Sequence, residues 1–207
     1  MAVVGVTEHG NSAVLVTVSA DGQLLDRRRI DLTHGLPTHP YHHEGSWAIG
    51  RYADSPWSKP TTLPDAIALV ERVHVAAGEG ARQALDDLAK TLPVKAIAVR
   101  ICPELPASIE DRIRDNRAAN VADTVMYRQA LAAAAQARGW MVSWYDRDRV
   151  FDQAAQALGR DINAHLTAMG KAAGPPWQAA HKLAAAAAIA VTSPLLRRDD
   201  DLAVFQQ

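Results

Sequence analysis

The densest group of residues able to do chemistry in this chain is His39-Pro40-Tyr41-His42-His43-Glu44-Gly45-Ser46-Trp47, with His34 just before it. Imidazole nitrogens and a carboxylate suit zinc and other transition metals, so His39, His42, His43 and Glu44 form a candidate ligand set. The same imidazoles change charge near neutral pH and can serve as a general base. A third reading makes His39, Tyr41, His42, His43 and Glu44 a contact surface for a ligand or partner, because long loops tend to carry function. The plainer alternative is an exposed loop fastened to the domain by Trp47 and Trp57.

Other polar constellations lie further along. Asp111 to Arg117 alternates charge at helical spacing, and Asn116, Arg117, Asn120 and Asp123 continue into Tyr127-Arg128. If these residues share a groove with the histidine loop, Asn116, Arg117, Tyr127 and Arg128 contact a ligand. Otherwise they form a solvated, ion-paired helix face. Tyr145-Asp146-Arg147-Asp148 ends an apolar run, where α/β sheets often meet ligands, or it simply leads into a helix. His181-Lys182 opens the last helical stretch. There His181 can meet a metal and Lys182 an anion, or both can decorate a first turn.

The elements that must position these groups read as follows. Ala2–Val6, Ala13–Ser19 and Leu24–Leu32 are β-rich runs joined by a turn at His9–Ser12 and by Asp21-Gly22, which predicts three antiparallel strands. Residues 33–63 carry His, Pro, Gly and Trp without a period and read as a long insertion loop. Pro64–Leu92 predicts a helix, with Gly78 and Gly80 as places where it can break. Val94–Ile101 predicts a buried strand. Asp123–Arg138 predicts a helix and Met141–Tyr145 a strand. Arg149–Leu158, Ile162–Lys171 and Trp177–Val191 predict helices, divided by Gly159 and by Gly174-Pro175-Pro176. The charged tail, 197–207, is expected to fray. The order fits one α/β domain over 1–196, with a mixed five-stranded sheet and helices on both faces.

Composition limits the function classes. Of 207 residues, 48% are apolar, which is a globular composition. A net charge of −1 gives no chain-wide basic surface for nucleic acid. One cysteine, Cys102, excludes an internal disulfide and a paired-cysteine metal site. The start lacks a basic, apolar leader, and Leu183–Val191 is too short to span a bilayer, so a cytoplasmic protein with no membrane partner is expected. Abundant alanine and arginine hint at a bacterial, GC-rich genome. No glycine-rich phosphate loop is present.

Beyond these readings, the run from Met126 to Val191, MYRQALAAAAQARGWMVSWYDRDRVFDQAAQALGRDINAHLTAMGKAAGPPWQAAHKLAAAAAIAV, resembles the second half of RuvC-type Holliday junction resolvases. The N-terminal GVTEHGNSAVLVTVSADGQLL is similar to that family's first strand and hairpin. The resemblance implies an RNase H-like three-layer fold and a homodimer. It also implies a nuclease in which clustered carboxylates hold two magnesium or manganese ions. Its acidic positions fall here on Thr7, on the Ala96-Ile97-Ala98 strand, and on Gln178 and His181. A divergent metal-dependent nuclease would have to use Glu8, Glu104 and His181 instead. The opposing expectation is a binding or interaction module, for a nucleic acid or a protein partner, that has lost resolvase activity. A zinc site in the His39–Glu44 loop is the third alternative.

Overall fold

Strands β1 (Ala2–His9), β2 (Ser12–Ser19) and β3 (Leu24–Asp31) form an antiparallel meander in the computed structural model. The structure describes residues 1–50, 53–54, 56 and 59–204, with side chains through residue 192. Gly22 takes a left-handed φ of 78° in the second turn, the conformation an Asp-Gly hairpin needs. Helix α1 (Leu63–Ala89) leads to β4 (Val94–Arg100). Helices α2 (Ile109–Arg114) and α3 (Asn116–Ala137) lead to β5 (Met141–Tyr145). Helices α4 (Val150–Leu158), α5 (Ile162–Ala173) and α6 (Ala179–Val204) complete the chain. The sheet order is β3-β2-β1-β4-β5, with β4 parallel to both β1 and β5. This is the mixed α/β sheet expected from the order of elements.

The sheet separates two cores. Val4, Val6, Ile97 and Val99 pack with Val70 and Leu85 of α1 and with Tyr127 and Leu131 of α3. On the other face Val3, Val16, Ala98 and Tyr145 pack with Val150 of α4, Leu166 of α5 and the alanine run of α6. Side chains on a strand alternate between faces. Beyond Val6 that alternation sends Thr7 toward α6 and Glu8 toward α3.

Helix α6 lies directly on β1 because position 5 has no side chain. A Cβ on Gly5 would overlap the carbonyl oxygen of Ala184, and it would lie 2.7 Å from the amide nitrogen of Ala188. The fully buried row Ala184–Ala188 supplies the small residues for this approach. The opening of α6 is fixed from β3. Arg27 donates through Nη1 to the carbonyl of Gly174 (2.8 Å) and through Nη2 to those of Ala173 (3.1 Å) and Pro175 (3.0 Å).

Three expectations change here. Helix α1 runs unbroken through Gly78 and Gly80. Gly80 serves a crossing, since a Cβ there would overlap the Leu32 carbonyl, while Gly78 faces open space. The insertion 33–63 is partly ordered, with a π-helical turn at His42–Trp47; the anchor role expected of Trp57 lies outside the described residues. The last helix runs past its expected end at Val191 to Val204.

Gly5→Ala is expected to lower unfolding free energy by about 3 kcal/mol, the upper range for an overpacked core, because both neighbours are backbone. Gly78→Ala is expected to raise it by roughly 0.5–1 kcal/mol, as alanine restores helix propensity without a clash. Urea denaturation of both variants checks the pair.

Candidate functional site

Helix α3 carries two polar stripes that face different neighbours. Asn116, Asp123 and Tyr127 hold the histidine loop. The Trp47 indole donates to Asn116 Oδ1 (3.1 Å), the Tyr41 amide to Asp123 Oδ1 (2.9 Å), and the Tyr127 hydroxyl to the Thr38 carbonyl (3.2 Å). Tyr41 is fully buried. Its hydroxyl meets His74 Nε2 at 3.1 Å and accepts from Arg112 at 3.4 Å. The loop can turn so tightly because it is π-helical: the Ser46 amide reaches back five residues to the Tyr41 carbonyl (2.8 Å).

This anchoring stacks the imidazoles instead of opening them toward a common point. His39 and His43 meet edge to face with centroids 4.8 Å apart, and His42 and His43 lie 5.0 Å apart. Trp47 packs 4.7 Å from both His42 and His43. Among the described residues no three His, Cys, Asp or Glu side chains are arranged to hold a metal ion. The expected ligand set His39, His42, His43 and Glu44 is therefore not assembled, because its rings face one another and Trp47. The stack does have a polarity. Asp123 is 2% exposed and its second oxygen lies 3.7 Å from His39 Nδ1, which raises the His39 pKa above the ordinary imidazole value. Burial and the neighbouring histidine lower His42 and His43, and burial raises the Glu44 carboxyl. Asp123 belongs to the polar run that the sequence offers as a partner of the histidine loop, and it does meet that loop. Its signal was a helical spacing shared with Asn116 and Tyr127.

The second stripe of α3 ends at Arg128, which is bound to Glu8. Arg128 donates through Nε and Nη2 to Glu8 Oε1 (2.6 Å each) and through Nη1 to the Ile101 carbonyl (2.9 Å). The two side chains are 7% and 4% exposed. A pair this deeply buried is costly to break, because removing one partner strands the other charge, at about 3–5 kcal/mol. The bridge spans β1 and the end of β4, where the sheet's connections diverge.

The structure does not bring the candidate catalytic residues Glu8, Glu104 and His181 together. Glu8 points to the α3 face. Glu104 is exposed in the segment after β4. His181 lies on the opposite layer, where its Nδ1 accepts the Gln178 amide at 3.2 Å and its ring packs 5.7 Å from Trp177. Lys182, Asn116 and Arg117 are exposed. The face of β1 and β4 that looks toward α6 carries Thr7 and Ala98, and beside them Tyr145, whose hydroxyl donates to the Val6 carbonyl (2.8 Å). Burial pushes that phenol up to about 12.

The histidine stack makes a signed pH prediction. In NMR titrations His39 should lose its proton above the usual value near 6.5, and His42 and His43 below it. The His39 contribution to stability is full at low pH and is lost as pH rises through its folded-state pKa. The contribution of His42 and His43 is full above 6.5 and is lost as pH falls below it. Asp123→Asn should bring the His39 midpoint down and leave those of His42 and His43 below 6.5. An unmoved His39 midpoint would remove Asp123 as the cause.

Comparison with known proteins adds a fold and no sequence relative. No protein-family profile matches the chain, and no curated protein matches it either. Among solved structures it is similar to the Thermus thermophilus RuvC in complex with a Holliday junction substrate, at 16% identity and a TM-score of 0.50 over 95% of this chain and 96% of that one. A second Thermus thermophilus RuvC structure matches at 14% identity and a TM-score of 0.48, over 96% and 97% of the two chains. With its five-stranded mixed sheet and two helical layers, the chain has the RuvC-like, RNase H-like fold.

Proposed function

We propose that this chain is an RNase H-like module that binds nucleic acid and has lost resolvase cleavage. One observation carries the reading: the carboxylate nearest the end of β1, Glu8, faces α3 and is neutralised by buried Arg128. Two-metal phosphodiester cleavage needs several carboxylates converging on hard cations. On the α6 face, where the RuvC resemblance puts those acids, stand Thr7 and Ala98, with Gln178 and His181 before and within the first turn of α6. The similar Thermus thermophilus protein was solved on a Holliday junction, which supports nucleic acid as the partner class. The reading does not need a basic surface over the whole chain, which a net charge of −1 does not provide. It needs local cations only.

The test offers the purified chain four-way, duplex and single-stranded DNA, and RNA, with magnesium and with manganese. Binding without cleavage is expected for at least one of these substrates. Binding should weaken as salt rises, as phosphate contacts require. Metal-dependent cleavage that co-elutes with the chain and falls in Glu8→Gln or His181→Ala would contradict the reading.

A further inference from the structure

Tyr41 ties the histidine insertion to three helices at once. Its amide donates to Asp123 Oδ1 of α3 (2.9 Å). Its hydroxyl lies 3.1 Å from His74 Nε2 of α1 and accepts from Arg112 Nη1 of α2 (3.4 Å). Its carbonyl accepts the Ser46 amide (2.8 Å) and so closes the π-helical turn. The whole residue is buried. Arg112 is itself fixed, since it donates to the carbonyls of Pro106 (2.6 Å) and Ala107 (3.4 Å). Gly45 seats the same turn on α2, where a Cβ would lie 3.3 Å from Ile113 Cγ1. Turn, phenol and α2 therefore pack as one unit.

Proton counting makes this unit sensitive to His74. A phenol has one proton to give and lone pairs to receive, whereas a guanidinium only donates. Arg112 therefore donates to the Tyr41 oxygen, and the hydroxyl proton goes to His74 Nε2. That bond exists only while Nε2 carries no proton. A second proton on the ring sets two cationic N–H groups against one oxygen. It also leaves a buried hydroxyl proton without an acceptor, which is costly. The groups facing His74 are Arg112 from α2, Glu71 from its own helix and Tyr41 from the insertion, while Asp123 of α3 reaches Tyr41 at the amide. Burial first, and the Arg112 charge second, hold the imidazole below its ordinary value, against the pull of Glu71. The His74 contribution to stability is thus full above about 6.5 and is lost as pH falls through its folded-state pKa.

We propose that the contact of Tyr41 with His74 and Arg112 is a proton-operated latch, in which a proton on His74 frees the Tyr41 side chain and lets the turn His42–Trp47 lift from α1 and α2 while the sheet stays folded. The latch rests on the contacts of the insertion and not on nucleic-acid binding, so it stands or falls apart from the proposed function.

Native-state hydrogen exchange of the isotope-labelled full chain tests it, read at the Tyr41 and Ser46 amides between about pH 7.5 and pH 5, either side of the imidazole range. Protection is taken relative to the intrinsic exchange rate at each pH. In the parent it is expected to fall about tenfold at both amides as the pH drops, while Ile97 of β4 keeps its protection. His74→Gln offers Tyr41 an acceptor oxygen that does not titrate, and it is expected to flatten the profile. Titration of the parent provides a check that needs no variant: the Tyr41 ring signals should move with the midpoint of His74 and not with those of His42 or His43. Equal protection at both pH values overturns the latch. So does a His74→Gln profile as steep as the parent's, or a Tyr41 ring that follows His42 and His43.

Discussion

Strand alternation is the constraint on which the functional account depends. Two adjacent residues at the end of β1, Thr7 and Glu8, must leave the sheet on opposite sides. Gly5 fixes which side is which. It has to face α6, because only a residue without a Cβ lets the Ala184 carbonyl approach. With Gly5 committed, Thr7 falls under the helix that ends the domain and Glu8 falls under α3. A carboxylate delivered to the α3 layer needs a cation there, and Arg128 supplies it with two bonds to one oxygen and a third to the Ile101 carbonyl. The end of the sheet is thus closed by an internal ion pair rather than left as an acidic pocket.

The same helix then divides the surface into two regions. Toward the insertion, Asn116, Asp123 and Tyr127 fasten a π-helical turn and order three imidazoles into a stack against Trp47. Toward the strand ends, Val121, Thr124 and Arg128 face the cleft between β4 and β5. The histidine loop and the cleft at the strand ends are held by different stripes of α3. Of the polar residues 116–128, Asn116 and Tyr127 meet the histidine loop, whereas Arg128 meets Glu8 and the Ile101 carbonyl.

The fold was legible because its signals are local. Asp21-Gly22 announced the hairpin, apolar runs marked β4 and β5, and Gly174-Pro175-Pro176 marked the start of α6. What was hidden depends on contacts between distant residues. Gly80 looks like a helix breaker until the Leu32 carbonyl is seen beside it. Arg27 sits in a run of three arginines on β3, and nothing near it in sequence points to the carbonyls of residues 173–175. Glu8 was singled out as an acid at the right strand end. Its role turned on one residue of register and on a partner 120 positions away. The histidine cluster suggested ligands by residue type, but type does not state which way a ring points.

The central claim is that the α6 face at the end of β1 and β4 no longer gathers divalent cations. Paramagnetic broadening by manganese tests it directly, since the ion quenches amide signals close to wherever it binds. The account predicts that stoichiometric manganese leaves the amides of Thr7, Ala98, Gln178 and His181 as sharp as the rest of the chain. Selective loss of those four signals, reversed by excess magnesium, would contradict it.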